Sequence, residues 1–212
     1  MAGGARPLPE TALPRRPERA NGRRRYEMLV SAAQRLLERD GIAALTIQQI
    51  AREARVPMAS VYHFFPSPAA ACVAVAEAYL QGFSEIVARP IARVTEMTWR
   101  EVIATLMRRA FDHYRAHPYA QHLILGSEYS WQIRQADVRN NRALARAVGA
   151  LIRAKVPAVD DQVLVEALVV GIHIQDAIWS LSVVEHGAVT RQAMDEAVLA
   201  ACGYLEAKLS AT

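Results

Sequence analysis

Residues 46–65 read TIQQIAREARVPMASVYHFF, and the spacing within this stretch decides the fold of the N-terminal part of the chain. The first half predicts a short helix with one apolar face, because apolar residues recur at intervals of three and four. These residues are Ile47, Ile50, Ala51 and Ala54. Thr46 stands just before them, where its hydroxyl can accept a backbone N–H and cap the helix.

The second half of the stretch predicts another short helix, which begins near Pro57. Val61 and Phe65 are four residues apart and should both point inward, which leaves Tyr62 and His63 exposed. Two short helices joined by a tight turn are typical of a helix-turn-helix, whose second helix enters the major groove of DNA. The stretch therefore predicts a DNA-reading surface.

Outward from this stretch, the rest of the 212-residue chain also follows helical spacing. We find no strand alternation and no internal repeat. We therefore expect an all-α protein, with an N-terminal three-helix helix-turn-helix head and a larger helical domain. The predicted boundaries are 1–22 for a disordered basic arm, 23–68 for the head and 69–212 for the larger domain.

Charge is distributed unevenly between these parts. Residues 1–66 carry 11 Lys+Arg against 6 Asp+Glu, a net of +5, whereas residues 67–212 carry 14 against 15, a net of −1. A basic excess beside a DNA reader is what phosphate neutralisation requires. The alternative is a basic tail that only increases solubility.

The two cysteines, Cys72 and Cys202, lie far apart in apolar helical contexts. Their spacing fits neither a zinc site nor a disulfide framework. We interpret them as small buried hydrophobic residues in a reducing cytosol. No metal and no cofactor is expected.

One apolar stretch, residues 163–184, is long enough to span a bilayer. It contains Glu166, His173 and Asp176, whose insertion into lipid is costly. The N-terminus is rich in Pro and Arg and does not resemble a secretory signal peptide. We therefore expect a cytoplasmic protein that has no membrane partner.

Residues from about 23 to 71 resemble the DNA-binding head of the tetracycline-repressor (TetR) family. The resemblance is carried by AAQRLLERDGIAALTIQQIAREARV at 32–56, VYHFF at 61–65 and the PSP turn at 66–68. Within it, Tyr62 matches the tyrosine of the reading helix, and Thr46 matches a position that often meets phosphate. The DNA-binding residues predicted from the resemblance and from exposure are Arg23, Arg24, Thr46, Gln48, Arg55, Met58, Ser60, Tyr62 and His63.

The chain departs from the family pattern at four positions. Arg55 stands where a turn glycine is common, so a left-handed backbone there would cost about 1 kcal/mol. Pro57 replaces a common Ser or Thr, which removes a cap. Phe64 stands where a polar residue is frequent, and Pro68 stands where a lysine usually grips phosphate.

Arginines upstream of the motif can replace the missing phosphate contacts. We hypothesise that the basic arm reaches the minor groove, by analogy with homeodomain arms. The arginines concerned are Arg23, Arg24 and Arg25, or Arg15, Arg16 and Arg19.

The resemblance implies that the larger domain binds a ligand and forms a homodimer through about 161–209. The last two helices are rich in apolar residues, and packing within the monomer is the alternative explanation. A ligand pocket needs apolar walls with a few polar groups, a description that also fits an ordinary core. The ligand-binding candidates are Trp99, Phe111, Tyr114, His122, Tyr129, His173 and Trp179.

Four polar residues recur at spacings of 7, 3 and 4 and should share one helix face. Three explanations stay open: a ligand-orienting stripe, a polar seam in the dimer, and a metal site. The residues are Glu166, His173, Asp176 and Ser180.

Taken with the resemblance, these observations predict a ligand-responsive transcriptional regulator. It would be a repressor that binds a double-stranded, palindromic DNA operator as a homodimer and is released by a small-molecule effector. The alternative is a helical scaffold or small-molecule-binding protein whose head no longer reads DNA, with Phe64 and Pro68 as the hints. An enzyme is less favoured, because the sequence contains no GxSxG, Walker loop or HExxH motif.

Overall fold

The computed structural model describes residues 13–126 and 130–210, and within them all regular structure is helical. The all-α prediction is thereby confirmed. The helices are α1 (Ala20–Asp40), α2 (Ile47–Ala54), α3 (Met58–Phe64), α4 (Pro68–Ala88), α5 (Trp99–Ala116), α6 (Pro118–Ile124), α7 (Trp131–Ile152), α8 (Asp161–His186) and α9 (Arg191–Leu209).

The described chain forms two compact units, which divide between Ala78 and Tyr79. This division lies inside α4, ten residues after the predicted boundary at 68/69. The predicted boundary instead marks the start of α4, where the Ser67 hydroxyl accepts the Ala70 N–H at 3.2 Å. Pro68 occupies the first turn, where its missing N–H leaves no donor unsatisfied.

The first unit packs α1 against α2 and α3. Val61 and Phe65 are fully buried, as the spacing predicts. The Tyr26 ring of α1 meets the Phe64 and Phe65 rings edge-on, with centroids 5.8 and 5.4 Å apart. These aromatic contacts fix the reading helix against α1.

Residues 13–22, which belong to the predicted basic arm 1–22, are described by the structure and contact the first unit. The Arg15 N–H donates to the Phe64 carbonyl at 2.8 Å, and the Arg16 guanidinium pairs with Glu77 at 2.7 Å. Pro17 packs so tightly on Gly22 that a Cβ there would lie 2.9 Å from its ring. Because these contacts hold the segment, α1 begins at Ala20 rather than Arg23; residues 1–12 lie outside the described residues.

The second unit is built around α8, which packs against α7 and α9, while α5 packs against α9. Trp179 of α8 is fully buried at its centre. Side chains cap the N-termini of α5, α7, α8 and α9. Gly187, with φ of 74°, ends α8 in the left-handed conformation that glycine adopts without strain.

In the described part of the chain, α4 and α8 are long and apolar enough to cross a membrane by length and composition alone. Core helices of soluble proteins pass the same test, so this is weak evidence for a membrane span.

Candidate functional site

The reading helix α3 presents one open face. Tyr62 and Met58 are each 51% exposed, and His63 is exposed beside them. Ser60 is partly buried. A seven-residue helix held by its buried face therefore offers a phenol, an imidazole, a hydroxyl and a thioether to solvent, groups that can meet base edges and thymine methyls.

Thr46 caps α2, as predicted: its hydroxyl accepts the Gln49 N–H at 3.1 Å. The residue is also exposed, and so is Gln48 in the first turn. The Thr46 N–H donates to the Ala44 carbonyl at 2.9 Å, so the exposed Gln48 amide is the group at this helix start that could meet a DNA phosphate.

The turn between α2 and α3 has the strain that the sequence predicts. Arg55 ends α2 with φ of 55° and ψ of 45°, the left-handed conformation that costs a non-glycine residue about 1 kcal/mol. Its side chain is exposed. Pro57 precedes α3 and supplies no side-chain cap, as expected from the loss of Ser or Thr.

An open cleft, which we call the reading cleft, lies between the start of α1 and α3. It brings together Arg24, Ser60 and His63, three of the predicted DNA-binding residues. Arg23 instead donates to the carbonyl of Glu18. The residues lining the reading cleft are Asn21, Gly22, Arg24, Arg25, Met28, Ala59, Ser60, His63 and Phe64.

Phe64, one of the two hints against DNA reading, is buried and only 5% exposed. It packs on Tyr26 and meets the His63 ring edge-on at 4.6 Å. An aromatic residue at this position therefore supports the reading helix from behind instead of covering its outer face.

A cavity of about 800 Å³, counting its open mouth, lies within the second unit between α4, α5, α7, α8 and α9. Its walls are mostly apolar. The lining residues are Leu80, Phe83, Ile86, Val87, Ile103, Leu106, Met107, Ala110, Tyr114, Asp137, Asn141, Leu144, Val148, Leu168, Gly171, Ile172, Gln175, Asp176, Ala201 and Leu205. Apolar walls with a few polar groups are typical of small-molecule sites.

The polar side of this cavity is formed by α7 and α8. The Asn141 amide donates to the Asp176 carboxylate at 2.9 Å, and the Arg134 guanidinium lies 3.4 Å from the Asp137 carboxylate. Burial, and then the charge of Asp137, raise the pKa of Asp176 to about 8. The Asp137–Asp176 pair therefore binds a proton more tightly than an exposed carboxyl does.

Of the ligand-binding candidates predicted from sequence, Tyr114 lines the cavity. Trp179 lies one layer behind it, with its ring edge-on to Tyr114 at 5.8 Å. Tyr129 lies outside the described residues. The remaining candidates are not part of the described lining: Trp99, Phe111, His122 and His173.

The four polar residues expected on one face of α8 have separate surroundings. Asp176 lines the cavity, and the Ser180 hydroxyl donates to the Leu125 carbonyl at 2.5 Å. Glu166 pairs with Arg142 at 3.4 Å in solvent. No three His, Cys, Asp or Glu residues within 13–126 and 130–210 are placed to share a metal ion.

One side of α8 exposes a row of apolar residues, whereas the exposed residues of α9 are mostly polar. Val163, Val170, Leu181 and Val184 follow one side of α8, and Leu199 of α9 is 70% exposed. In contrast, Leu164 and Leu168 belong to the core of the unit. The apolar residues of these helices thus include both core residues and exposed ones.

Comparisons with known proteins agree with this architecture. The family described as "Tetracyclin repressor-like, C-terminal domain" matches residues 97–209, and "Bacterial regulatory proteins, tetR family" matches residues 29–70. No curated protein matches the chain.

Solved structures share the fold. A TetR-family transcriptional regulator from Streptomyces coelicolor is 23% identical, covers 86% of this chain and 98% of its own, and superposes with a TM-score of 0.62. A TetR transcriptional regulator from Rhodococcus sp. RHA1 is 17% identical over 86% of this chain and 96% of its own, with a TM-score of 0.63. The multidrug binding protein EbrR, complexed with imidazole, is 21% identical over 85% and 94%, with a TM-score of 0.55.

Proposed function

The chain belongs to the TetR family of bacterial regulatory proteins, and we propose that two copies of it bind a palindromic operator until a small molecule releases them. Regulators of this family are ligand-responsive and bind DNA. The chain is accordingly a transcriptional regulator, and the finer proposal concerns which of its surfaces do the binding.

The observation that carries the DNA-binding proposal is the exposure of α3 beside the arginines of α1. Tyr62 and His63 point to solvent, and Arg24 lines the reading cleft together with Ser60 and His63. Base reading and phosphate neutralisation are thus available on one surface. We propose further DNA contacts at both ends of α2: from Thr46 and Gln48 at its start and from Arg55 at its end.

We propose that the segment 13–19, which is part of the basic arm, contacts DNA phosphates. Its backbone hydrogen bond to Phe64 holds it at the end of the reading helix. Arg16 is already paired with Glu77, so Arg15 and Arg19 are the arginines we propose for DNA. These contacts substitute for the lysine that Pro68 replaces.

We propose that dimerisation, within the predicted range 161–209, uses the exposed apolar side of α8 together with Leu199 of α9. Removing the side chains of Leu181 and Val184 from water favours association with the same face of a second copy. Two reading helices are then available for the two halves of a palindrome.

The effector site we propose is the cavity of the second unit. Its occupant must bind the DNA-free conformation more tightly than the DNA-bound one, because only differential affinity shifts an equilibrium. We also propose that the chain binds its effector without catalysing a reaction. Its place of action is the cytoplasm, where the operator lies.

The test is DNA binding by the full chain, measured by fluorescence anisotropy with promoter DNA from beside its gene and with random duplex. We expect clear preference for the promoter DNA. The double variant Tyr62→Ala/His63→Ala should lose about 100-fold in affinity, since each base contact contributes about 1–3 kcal/mol. Trp131→Ala, an exposed aromatic on α7, is the matched control and should bind like the wild type.

Equal affinity for promoter and random DNA would exclude an operator-reading function. Unchanged binding by the double variant, with its fold verified by circular dichroism, would move the reading surface away from α3.

A further inference from the structure

We propose that the effector is a compact apolar compound with one positive charge, such as a protonated amine, held by the carboxyls of Asp137 and Asp176 in the cavity of the second unit. The binding itself does not depend on DNA; only its regulatory consequence rests on the proposed function.

The apolar part of the effector follows from the walls of the cavity. The faces contributed by α4, α5 and α9 consist of uncharged residues, most of them aliphatic or aromatic. Phe83, Met107 and Leu205 are examples from these three helices, and each is buried or nearly so. A ligand body placed against these side chains gains free energy because its own apolar surface leaves water.

The charge of the effector follows from the polar side. Asp137 and Asp176 are the charged residues among those that line the cavity in the described part of the chain. Asp137 is 4% exposed and lies beside the guanidinium of Arg134, which compensates one negative charge. The second carboxylate is left with the neutral amides of Asn141 and Gln175 as hydrogen-bond donors.

Among the described residues, Arg134 lies beside Asp137, whereas Asp176 accepts from amides and not from a cation, so its ionised form is costly in this setting. When no ligand is bound, a proton on the Asp137–Asp176 pair relieves that cost, in agreement with the raised pKa of Asp176. A ligand cation can take over this role by displacing the proton to solvent. A carboxylate ligand would instead add a like charge to the site.

The experiment uses three probes that share one phenylalkyl body: 4-phenylbutylamine, 4-phenylbutan-1-ol and 5-phenylpentanoate. Each is titrated into the full chain without DNA by isothermal titration calorimetry at pH 7.5. We expect the amine to bind at least about tenfold more tightly than the alcohol, and the carboxylate to bind more weakly than both, because a desolvated charge pair favours the cation.

Proton release gives a second, independent readout. In the wild type, binding of the amine should displace up to one proton from the carboxyl pair, which makes the measured enthalpy depend on the ionisation enthalpy of the buffer. Binding of the alcohol should show no such dependence.

Asp176→Asn keeps the shape of the side chain and removes its charge. We expect this variant to bind amine and alcohol within about twofold of each other and to release no proton. Asp112→Asn, an exposed aspartate on α5, is the matched control and should retain the preference of the wild type.

Equal binding of amine and alcohol, tighter binding of the carboxylate, or no binding of the amine would overturn the proposed effector class. So would an unchanged preference in Asp176→Asn. None of these results bears on operator binding, which is measured separately with the variants of α3. Conversely, loss of operator recognition would leave the amine titration interpretable.

Discussion

The reading cleft and the cavity use opposite electrostatics in one chain. The reading cleft is open and lined by arginines, and its residues come from α1 and α3. The cavity lies between five helices of the second unit, and its charged lining is made of carboxyls. The first suits a polyanion that stays in water, and the second suits a small ligand that leaves water.

The difference teaches how burial changes the role of a charge. An exposed arginine acts on phosphate through a screened interaction, so several are needed and the result depends on salt. A carboxyl in the cavity is costly when ionised, so a single proton or cation decides its state. We therefore expect DNA affinity at the first surface to be spread over many residues, and ligand affinity at the second to be concentrated in Asp137 and Asp176.

The largest effect is expected from Leu181→Lys. This variant tests whether the reading surface of a single copy binds the operator without a second copy. Leu181 is 57% exposed on the apolar face of α8, and a lysine there would put a charge into the proposed dimer interface. We expect monomers in analytical ultracentrifugation. Operator affinity should fall by more than about 100-fold, because the second reading helix is no longer tethered to the first.

Trp131→Lys adds the same charge at a residue of α7 that is 56% exposed and lies outside that face. It should remain dimeric. A Leu181→Lys protein that stays dimeric and binds DNA normally would show that the copies associate elsewhere.

The helix-turn-helix could be predicted from the sequence because its chemistry lies in one stretch, residues 46–65. The cap of α2, the burial of Val61 and Phe65 and the exposure of Tyr62 all follow from local spacing. Residues 13–19 are harder to predict, since their order depends on long-range contacts with Phe64 and Glu77.

Most of the cavity could not be predicted, because it forms only when five helices meet. Aromatic residues are the sequence criterion for a pocket, and of these Trp179 and Phe111 fill the core. Local spacing marks Asp176 only as part of a polar stripe and does not single out Asp137. The sequence does contain one hint of the polar side of the cavity. Asp137 and Asn141 are four residues apart on a predicted helix and therefore lie on the same face.

A second test concerns the stability of the fold. The folded-state pKa of Asp176 is raised to about 8, by burial and then by Asp137, so the folded protein binds this proton more tightly than the unfolded chain. Its stabilising contribution is complete below about pH 4 and is lost as the pH rises to 8. Arg134 on α7 opposes the shift, and the cavity faces of α4, α5 and α9 add no charged residue.

Asp176→Asn should remove this pH dependence. Between pH 5 and pH 8, we expect the unfolding free energy of the wild type to fall by about 2 kcal/mol relative to that of the variant. This loss is smaller than the full pKa shift implies, because solvent reaches the carboxyl through the open mouth of the cavity. Urea unfolding at several pH values measures it, with Asp112→Asn as the control. Parallel curves for the wild type and Asp176→Asn would mean that this carboxyl is as well solvated as a surface group.

At the reading cleft, Arg24→Ala/Arg25→Ala should weaken operator binding about tenfold. The slope of log affinity against log salt should fall by up to about 2, because each arginine that neutralises a phosphate contributes about one to it. The matched control is Arg139→Ala/Arg146→Ala, which removes two exposed arginines from α7. If both double variants gave the same slope, the arginines of α1 would act only through the net charge of the protein and would not contact phosphates directly.

The smallest effect is expected at Arg55, whose left-handed backbone conformation lowers the stability of the fold. Arg55→Gly and Arg55→Ala both remove the cation, but only glycine adopts φ of 55° without strain. Arg55→Gly should therefore be about 1 kcal/mol more stable than Arg55→Ala in thermal or urea unfolding, while both lose the same small part of their operator affinity. If Arg55→Gly is the more stable variant and also binds DNA more weakly than the wild type, the strained arginine exchanges stability for a charge beside the DNA backbone. If the two variants are equally stable, the turn tolerates a side chain at this angle, and the arginine brings its charge to the surface without that cost.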